Sequence, residues 1–188
     1  MDFRNIVIMK YGVHVSESID SIITRKMDEL QNTGVMYWGY GGTVCHPRTQ
    51  VQPFVKANFE KGEDTYLLLV RTPSENHSQS ARMEYYTEDG TLWEKFPEGI
   101  NVLGSKYAIV CESLNNCDIR LDLSAYRVAA GRSAGKSLAE YLRGRVDKAC
   151  AVLTGQSDEN ADQGNGSRFV QVSYWGRINY PGAVFCKE

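Results

Sequence analysis

The segment AAGRSAGKSLAEYLRGRVDKAC, residues 129–150, comes close to a phosphate-binding loop followed by its helix. The loop motif is G-x-x-x-x-G-K-[ST], in which backbone N–H groups and a lysine hold phosphates and the hydroxyl binds magnesium. Residues 135–137 (GKS) match the end of the motif, but its first position holds Ala130 and the glycine comes one residue late, at Gly131. We therefore predict an anion site at a helix N-terminus, without hydrolysis of a nucleoside triphosphate.

The predicted anion site takes its residues from this turn, and they are Gly131, Ser133, Gly135, Lys136 and Ser137. An alternative follows from the helical wheel, on which Lys136 and Glu140 form an i,i+4 pair of opposite charge. Such a pair is typical of a solvated helix surface. In that case Lys136 has no role in binding.

Arg145 is a further candidate ligand-binding residue. On a helix over residues 134–153 it falls on the apolar stripe, and a buried arginine needs an acceptor because an unpaired buried charge is costly. The acceptor is either a structural carboxylate, Asp118 or Asp122, or an anionic group of a ligand. Both possibilities stay open.

An aromatic segment, VMYWGYGG at residues 35–42, supplies the remaining candidate site residues, Trp38, Tyr40 and Gly41. Ligands of α/β proteins bind at the carboxyl ends of sheet strands, where aromatic rings can stack on bases. The alternative is that these rings fill the core and the glycine pair forms a turn.

The titratable residues form no assembled catalytic set. Asp118 and Asp122 share one face of a predicted strand and Glu84 lies near a predicted hairpin, so these carboxylates are the candidates if the protein cleaves a phosphoester. Cys45 and His46 are adjacent, so they point to different sides and cannot form a dyad. No histidine or cysteine spacing fits zinc. We predict no catalytic residues, no metal and no cofactor.

Composition and charge limit the class of protein. Five cysteines at irregular spacings favour a reducing, cytoplasmic setting, and neither a signal peptide nor an apolar run long enough for a bilayer is evident. The net charge is −2, yet residues 127–148 carry six basic and two acidic side chains. A local positive patch on an acidic chain suits a compact anionic ligand better than a long nucleic acid.

The hydrophobic pattern predicts one globular domain over residues 1–188, of the α/β (or α+β) class, with a mixed central sheet of at least five strands and two main helices. The helices are expected near residues 17–32 and 134–153, and Asp89-Gly90 predicts a hairpin. The opening strand–helix–strand pattern favours parallel pairing. Residues 155–168 are polar and glycine-rich, which predicts a flexible loop.

These patterns favour a cytosolic protein that senses or sequesters a phosphorylated small molecule, of the nucleotide or cyclic nucleotide type. Two alternatives stay open: an enzyme that cleaves a nucleotide phosphoester or glycosidic bond, and a protein-interaction module that uses the hairpin at residues 83–96. The sequence does not decide whether copies of the chain associate into a homo-oligomer.

Overall fold

A mixed β-sheet forms the framework of the protein. The computed structural model describes residues 3–78, 80–143, 146–155 and 168–188, and these form a single α+β domain with a ten-stranded sheet. The predicted fold class is confirmed. The strands are β1 (Asn5–Val13), β2 (Met36–Tyr40), β3 (Thr65–Glu75), β4 (Tyr85–Thr87), β5 (Glu94–Lys95), β6 (Tyr107–Cys111), β7 (Asn115–Asp122), β8 (Tyr126–Val128), β9 (Lys148–Leu153) and β10 (Phe169–Lys187).

The main path of the sheet runs β2-β6-β10-β3-β1-β9-β8. Strand β10 has 19 residues and joins the two halves, because its first part pairs with β3 and β7 and its second part pairs with β6 and β4. The β1–β3 pair is parallel. The opening β-α-β pattern therefore did not predict the right neighbour, since β2 pairs antiparallel with β6.

Both faces of the central strands are buried. Along β1, Val7, Met9 and Tyr11 belong to one core cluster, whereas Ile6 and Ile8 belong to the cluster on the opposite face. Strands that are covered on both faces read as continuous apolar runs. Residues of the first helix pack on the Met9 face, and this face also carries the cleft described below.

The helices described are α1 (Ile19–Thr33), α2 (Gln52–Phe59) and the short α3 (Leu138–Tyr141). The prediction of the first helix is confirmed, and local signals mark both of its ends. The Ser18 hydroxyl accepts a hydrogen bond from the N–H of Ser21, and Gly34 closes the helix with a φ of 77°.

The prediction of a second long helix over residues 134–153 is wrong. Its first part contains only the four-residue α3, and its second part is β9, which lies between β1 and β8. Ala149 and Ala151 face one core cluster and Cys150 faces the other. A short apolar run that is buried on both sides fits a strand as well as a helix, so periodicity alone could not separate them.

The predicted hairpin is present, because β4 and β5 pair antiparallel across the turn at Asp89-Gly90. Residues 156–167, the main part of the predicted flexible loop, lie outside the described residues, as do Gly144 and Arg145. Within the described part of the chain, no helix is long and apolar enough to cross a membrane.

Candidate functional site

The structure brings the five predicted phosphate-loop residues together in a tight turn between β8 and α3. The N–H of Gly135 donates to the Val128 carbonyl at 2.8 Å, and the Val128 N–H donates to the Lys136 carbonyl at 2.9 Å. The N–H of Ala134 donates to Gly131 at 3.2 Å, and the N–H of Lys136 donates to Ser133 at 3.1 Å. Three successive N–H groups of the turn are thus already engaged by its own backbone.

The helix that follows this turn has four residues, so it supplies little of the aligned dipole that a phosphate loop uses. The Lys136 side chain is exposed, whereas Ser137 is buried. The Ser137 Oγ is without a hydrogen-bond partner among the described residues. The N–H groups of Ala134, Gly135 and Lys136 are therefore not available to an anion at this turn.

The carboxylates considered as partners of Arg145, or as catalytic groups, have other partners. Asp122 accepts from Arg168 Nη2 at 2.6 Å and caps a short 3-10 turn, and the Arg168 guanidinium holds the pKa of this carboxyl at about 2. Asp118 accepts from Gln171 Nε2 at 2.5 Å. Because Arg145 lies outside the described residues, its own partner stays untested.

The other three candidate residues, Trp38, Tyr40 and Gly41, line a cleft of about 620 Å³. The cleft lies where β1, β2 and β3 end, as expected for a ligand site at strand ends. Its volume is within the range of small-molecule sites, about 300–1,000 Å³. One side of α1 and five segments form its walls: residues 9–14, 38–44, 74–76, 101–105 and 146–148.

Aromatic rings form one wall of the cleft. Trp38 and Tyr11 pack edge to face with ring centroids 5.7 Å apart, and each is only 7% exposed. The Tyr40 hydroxyl donates to the Cys45 carbonyl at 2.6 Å, and burial raises its pKa well above the ordinary value. The Tyr40 hydroxyl therefore already has its partner within the protein. Trp38 both fills the core and borders the cleft. The ligand-site interpretation and the core-filling interpretation of residues 35–42 therefore both apply to it.

A close approach between β2 and the loop at residues 101–105 shapes the same wall. A Cβ atom on Gly39 would lie 2.5 Å from the Ser105 Oγ, which is far inside van der Waals contact. Glycine at this position therefore allows the loop to pack against β2.

Lys148 is a basic residue of the cleft that the sequence analysis did not single out. It lies opposite Met9 in the β1–β9 ladder, so its side chain points to the face that carries the cleft. It is 7% exposed, and its Nζ donates to Asp147 Oδ1 at 2.5 Å. The Asp147 side chain is 54% exposed, and it is the only acceptor of the Lys148 ammonium among the described residues.

The loop that follows β2 lies beside this ammonium. A Cβ atom on Gly42 would be 3.7 Å from the Lys148 Nζ. Within the described chain, the N–H groups of Gly42 and Thr43 donate to no backbone carbonyl, and both residues are exposed. An ammonium next to unpaired N–H groups is an environment that favours an anion.

The other cations of the cleft have firm partners. Lys10 Nζ donates to the Leu142 carbonyl at 3.1 Å. Arg25 forms a two-bond pair with Glu17, at 2.9 and 2.6 Å, and this pairing lowers the pKa of the Glu17 carboxyl. Lys26 is also paired, with Glu29 of the same helix. Lys148 is consequently the cation of the cleft whose partner is most easily exchanged.

A buried ion pair on α1 holds the loop at residue 101. Lys26 and Glu29 are 3% and 1% exposed, and Lys26 Nζ donates to Glu29 Oε1 at 2.7 Å. Burial lowers the pKa of Lys26 to about 8, although the Glu29 charge opposes this shift. The Asn101 N–H donates to Glu29 Oε1 at 2.9 Å, and the Asn101 carbonyl accepts from Lys26 at 3.0 Å and from Arg25 at 2.5 Å.

The Asn101 side chain contrasts with its fully bonded backbone. Its Oδ1 is buried and accepts no hydrogen bond from the described residues. Leaving a buried acceptor unpaired costs about 1–3 kcal/mol. Asn101 also lines the cleft. This role could not be seen in the sequence, because Asn101 and Glu29 are 72 positions apart and only the folded chain brings them together.

No protein-family model, curated protein or solved structure matches this chain. The described residues contain no group of three or more histidine, cysteine, aspartate or glutamate side chains that could hold a metal ion. The cleft offers a nearly buried ammonium, backbone N–H groups, an aromatic wall and an asparagine amide.

Proposed function

We propose that this protein binds a phosphorylated small molecule, of the nucleotide or cyclic nucleotide class, in the cleft at the ends of β1, β2 and β3. The observation that carries the proposal is the Lys148 ammonium, which is nearly buried in the cleft wall and has one half-exposed carboxylate as its described partner. The ligand is held without chemical change, so the protein senses or sequesters it.

The phosphate end belongs beside Lys148. A phosphate there would replace or join Asp147 as acceptor and would also meet the N–H groups of Gly42 and Thr43. Hydrogen bonds between ionised groups are about twice as strong as neutral ones, and a water-poor wall strengthens them further. We therefore propose the site at β9 and the β2 loop rather than at the turn of residues 131–137, where the N–H groups of Ala134, Gly135 and Lys136 are engaged.

The flat part of the ligand belongs against the aromatic wall. Trp38 and Tyr11 both line the cleft, and aromatic side chains are the groups on which a base stacks. The cleft volume of about 620 Å³ leaves room for a nucleotide-sized molecule.

Binding is favoured over catalysis because the carboxylates that suggested phosphoester cleavage are elsewhere. Asp118 and Asp122 lie on β7, pair with Gln171 and Arg168, and do not line the cleft. No contact in the described structure favours the hairpin at residues 83–96 as an interaction surface over the cleft.

The proposal is tested by incubating the protein with inorganic phosphate, sugar phosphates, nucleoside monophosphates and cyclic nucleotides. Native mass spectrometry detects what binds, and mass spectrometry after denaturation shows whether it was changed. We expect at least one phosphorylated compound to bind and to be released intact. Release of a converted compound would replace the binder with an enzyme, and no binding by any member of the panel would refute the proposal.

A further inference from the structure

We propose that the Asn101 side-chain amide recognises the hydrogen-bonding edge of a heterocyclic base, so that the ligand of the cleft is a nucleobase-bearing phosphate rather than a sugar phosphate or a simple anion. This inference rests on the proposed function and narrows it to one chemical class. It assigns a specificity role to a residue that the sequence analysis did not select.

The first argument is the way that Asn101 is held. Its N–H and its carbonyl together receive three bonds from Glu29, Lys26 and Arg25 of α1. Glu29 also accepts from the N–H of Tyr37 at 3.2 Å, so the same carboxylate ties the loop to β2. A residue whose backbone is fixed by buried charged groups has the root of its side chain held in one place, which contributes to preorganisation of a binding site.

The second argument is that the fixed residue carries an unused polar group. Its Oδ1 is buried, and no described residue supplies a donor to it. Buried polar groups of native proteins are nearly always hydrogen-bonded, so an exception calls for a partner from outside the chain. Asn101 lines the cleft, and its backbone bonds leave the side-chain torsions free to turn the amide towards a ligand there.

The third argument is chemical. A primary amide offers an acceptor oxygen and a donor nitrogen side by side, and the matching partner offers a donor next to an acceptor. The edges of nucleobases have this pattern, as in the two-bond contact of asparagine with adenine. Ribose and inorganic phosphate lack a planar edge of this kind.

The position of Asn101 is consistent with the positions of the other cleft residues that the proposal uses. In the cleft wall, Asn101 belongs to the loop at residues 101–105, Trp38 belongs to β2, and Lys148 belongs to β9. A base bound by the Asn101 amide can therefore contact the aromatic wall while its phosphate contacts the Lys148 ammonium. The three residues belong to different elements and bind different parts of one molecule.

The test compares nucleotides with a phosphate that lacks a base. Calorimetric titrations use AMP, GMP, CMP, UMP and ribose 5-phosphate against the wild-type chain, Asn101→Ala and Lys148→Met. We expect at least one nucleotide to bind 10-fold or more tightly than ribose 5-phosphate. Asn101→Ala should remove that advantage and leave ribose 5-phosphate binding within 2-fold, whereas Lys148→Met should weaken both.

Folding of the variant is checked by its melting temperature. The backbone bonds of Asn101 do not depend on its side chain, and the substitution removes a buried unpaired oxygen, so the melting temperature should not fall. Equal binding of nucleotides by Asn101→Ala and the wild type would overturn the inference, as would equal binding of ribose 5-phosphate and all four nucleotides. Both results leave the proposed function standing if Lys148→Met still weakens binding. Absence of binding by every probe would refute the inference together with the proposed function.

Discussion

Two glycine-containing loops of this protein lie near a lysine, and they differ in the hydrogen bonds of their backbone N–H groups and in the burial of the lysine. In the turn at residues 131–137, three N–H groups donate to carbonyls of the turn and of β8, and Lys136 is exposed to solvent. In the loop after β2, the N–H groups of Gly42 and Thr43 have no backbone partner, and Lys148 is buried beside them.

The residue types of a phosphate loop can also build a turn held by its own backbone bonds, so they do not by themselves identify an anion site. The turn has the glycine, lysine and serine of the motif but closes on itself as an extension of β8. The loop after β2 has no motif, yet β9 places an ammonium next to it. Availability of N–H groups and burial of the cation decide which of the two can attract an anion.

The largest expected effect concerns the buried Lys26–Glu29 ion pair, which belongs to the cleft and not to the turn at residues 131–137. Glu29→Gln leaves the Lys26 ammonium buried without its carboxylate, and breaking a buried ion pair in this way costs about 3–5 kcal/mol. The matched control is Glu140→Gln, an exposed residue of α3, which should change the free energy of unfolding by no more than about 0.5 kcal/mol. Urea denaturation measures both. Similar values for the two variants would mean that the Lys26–Glu29 pair does not support the cleft.

The second prediction compares how replacing Lys148 and replacing Lys136 change the affinity for the ligand. Lys148→Met should weaken binding of the best nucleotide of the panel by about 1.5–3 kcal/mol, the range for hydrogen bonds to charged groups. This corresponds to a loss of between about 10-fold and 150-fold. Lys136→Met should leave the affinity within experimental error, and calorimetry measures both. Loss of affinity in Lys136→Met alone would move the site to the turn.

The third effect compares two glycines. Gly39→Ala brings a Cβ to 2.5 Å from the Ser105 Oγ, and overpacking of this kind costs about 1–3 kcal/mol. The double variant with Ser105→Gly should recover most of that loss. Gly135 has open space around its Cβ position but a φ of 87°, so Gly135→Ala should cost only about 1–2 kcal/mol of left-handed strain. Thermal denaturation measures the stability of the three variants. If adding Ser105→Gly to Gly39→Ala does not restore stability, the close contact with Ser105 is not the cause of the loss.

The smallest effect is the pH dependence of the cleft framework. The pKa of Glu17 is lowered in the folded protein by its hydrogen bonds to Arg25, from an ordinary value near 4.5. Its stabilising contribution is therefore complete above that value and is lost as the pH falls through the lowered folded pKa. The difference in unfolding free energy between the wild type and Glu17→Gln should shrink in that acidic range. A difference that is constant with pH would show that the Glu17–Arg25 pair is not coupled to folding.

Local signals explain how much of this fold could be predicted from the sequence. Ser18 and Gly34 mark the ends of α1, and Asp89-Gly90 marks the β4–β5 turn, because caps and turns depend on a few neighbouring residues. Strand β9 could not be separated from a helix, since both its faces are buried. That error also hid the position of Lys148, which lies opposite Met9 on the face of the sheet that carries the cleft.

Long-range contacts explain what could not be predicted of the candidate site. The residues of the cleft come from segments as far apart as Met9 and Lys148, which only the sheet order brings together. Asn101 owes its position to Glu29, 72 positions away in the chain. Trp38, Tyr40 and Gly41 could be selected from the sequence because strand ends are general locations of ligand sites.

The most direct test of the account is a nuclear magnetic resonance titration of the ¹⁵N-labelled protein with AMP. The backbone amide signals of Gly42, Thr43 and Lys148 should shift with a common saturation curve, while those of Gly135 and Lys136 should not move. Shifts confined to Gly135 and Lys136 would contradict the account, because the anion would then bind at the turn and not in the cleft.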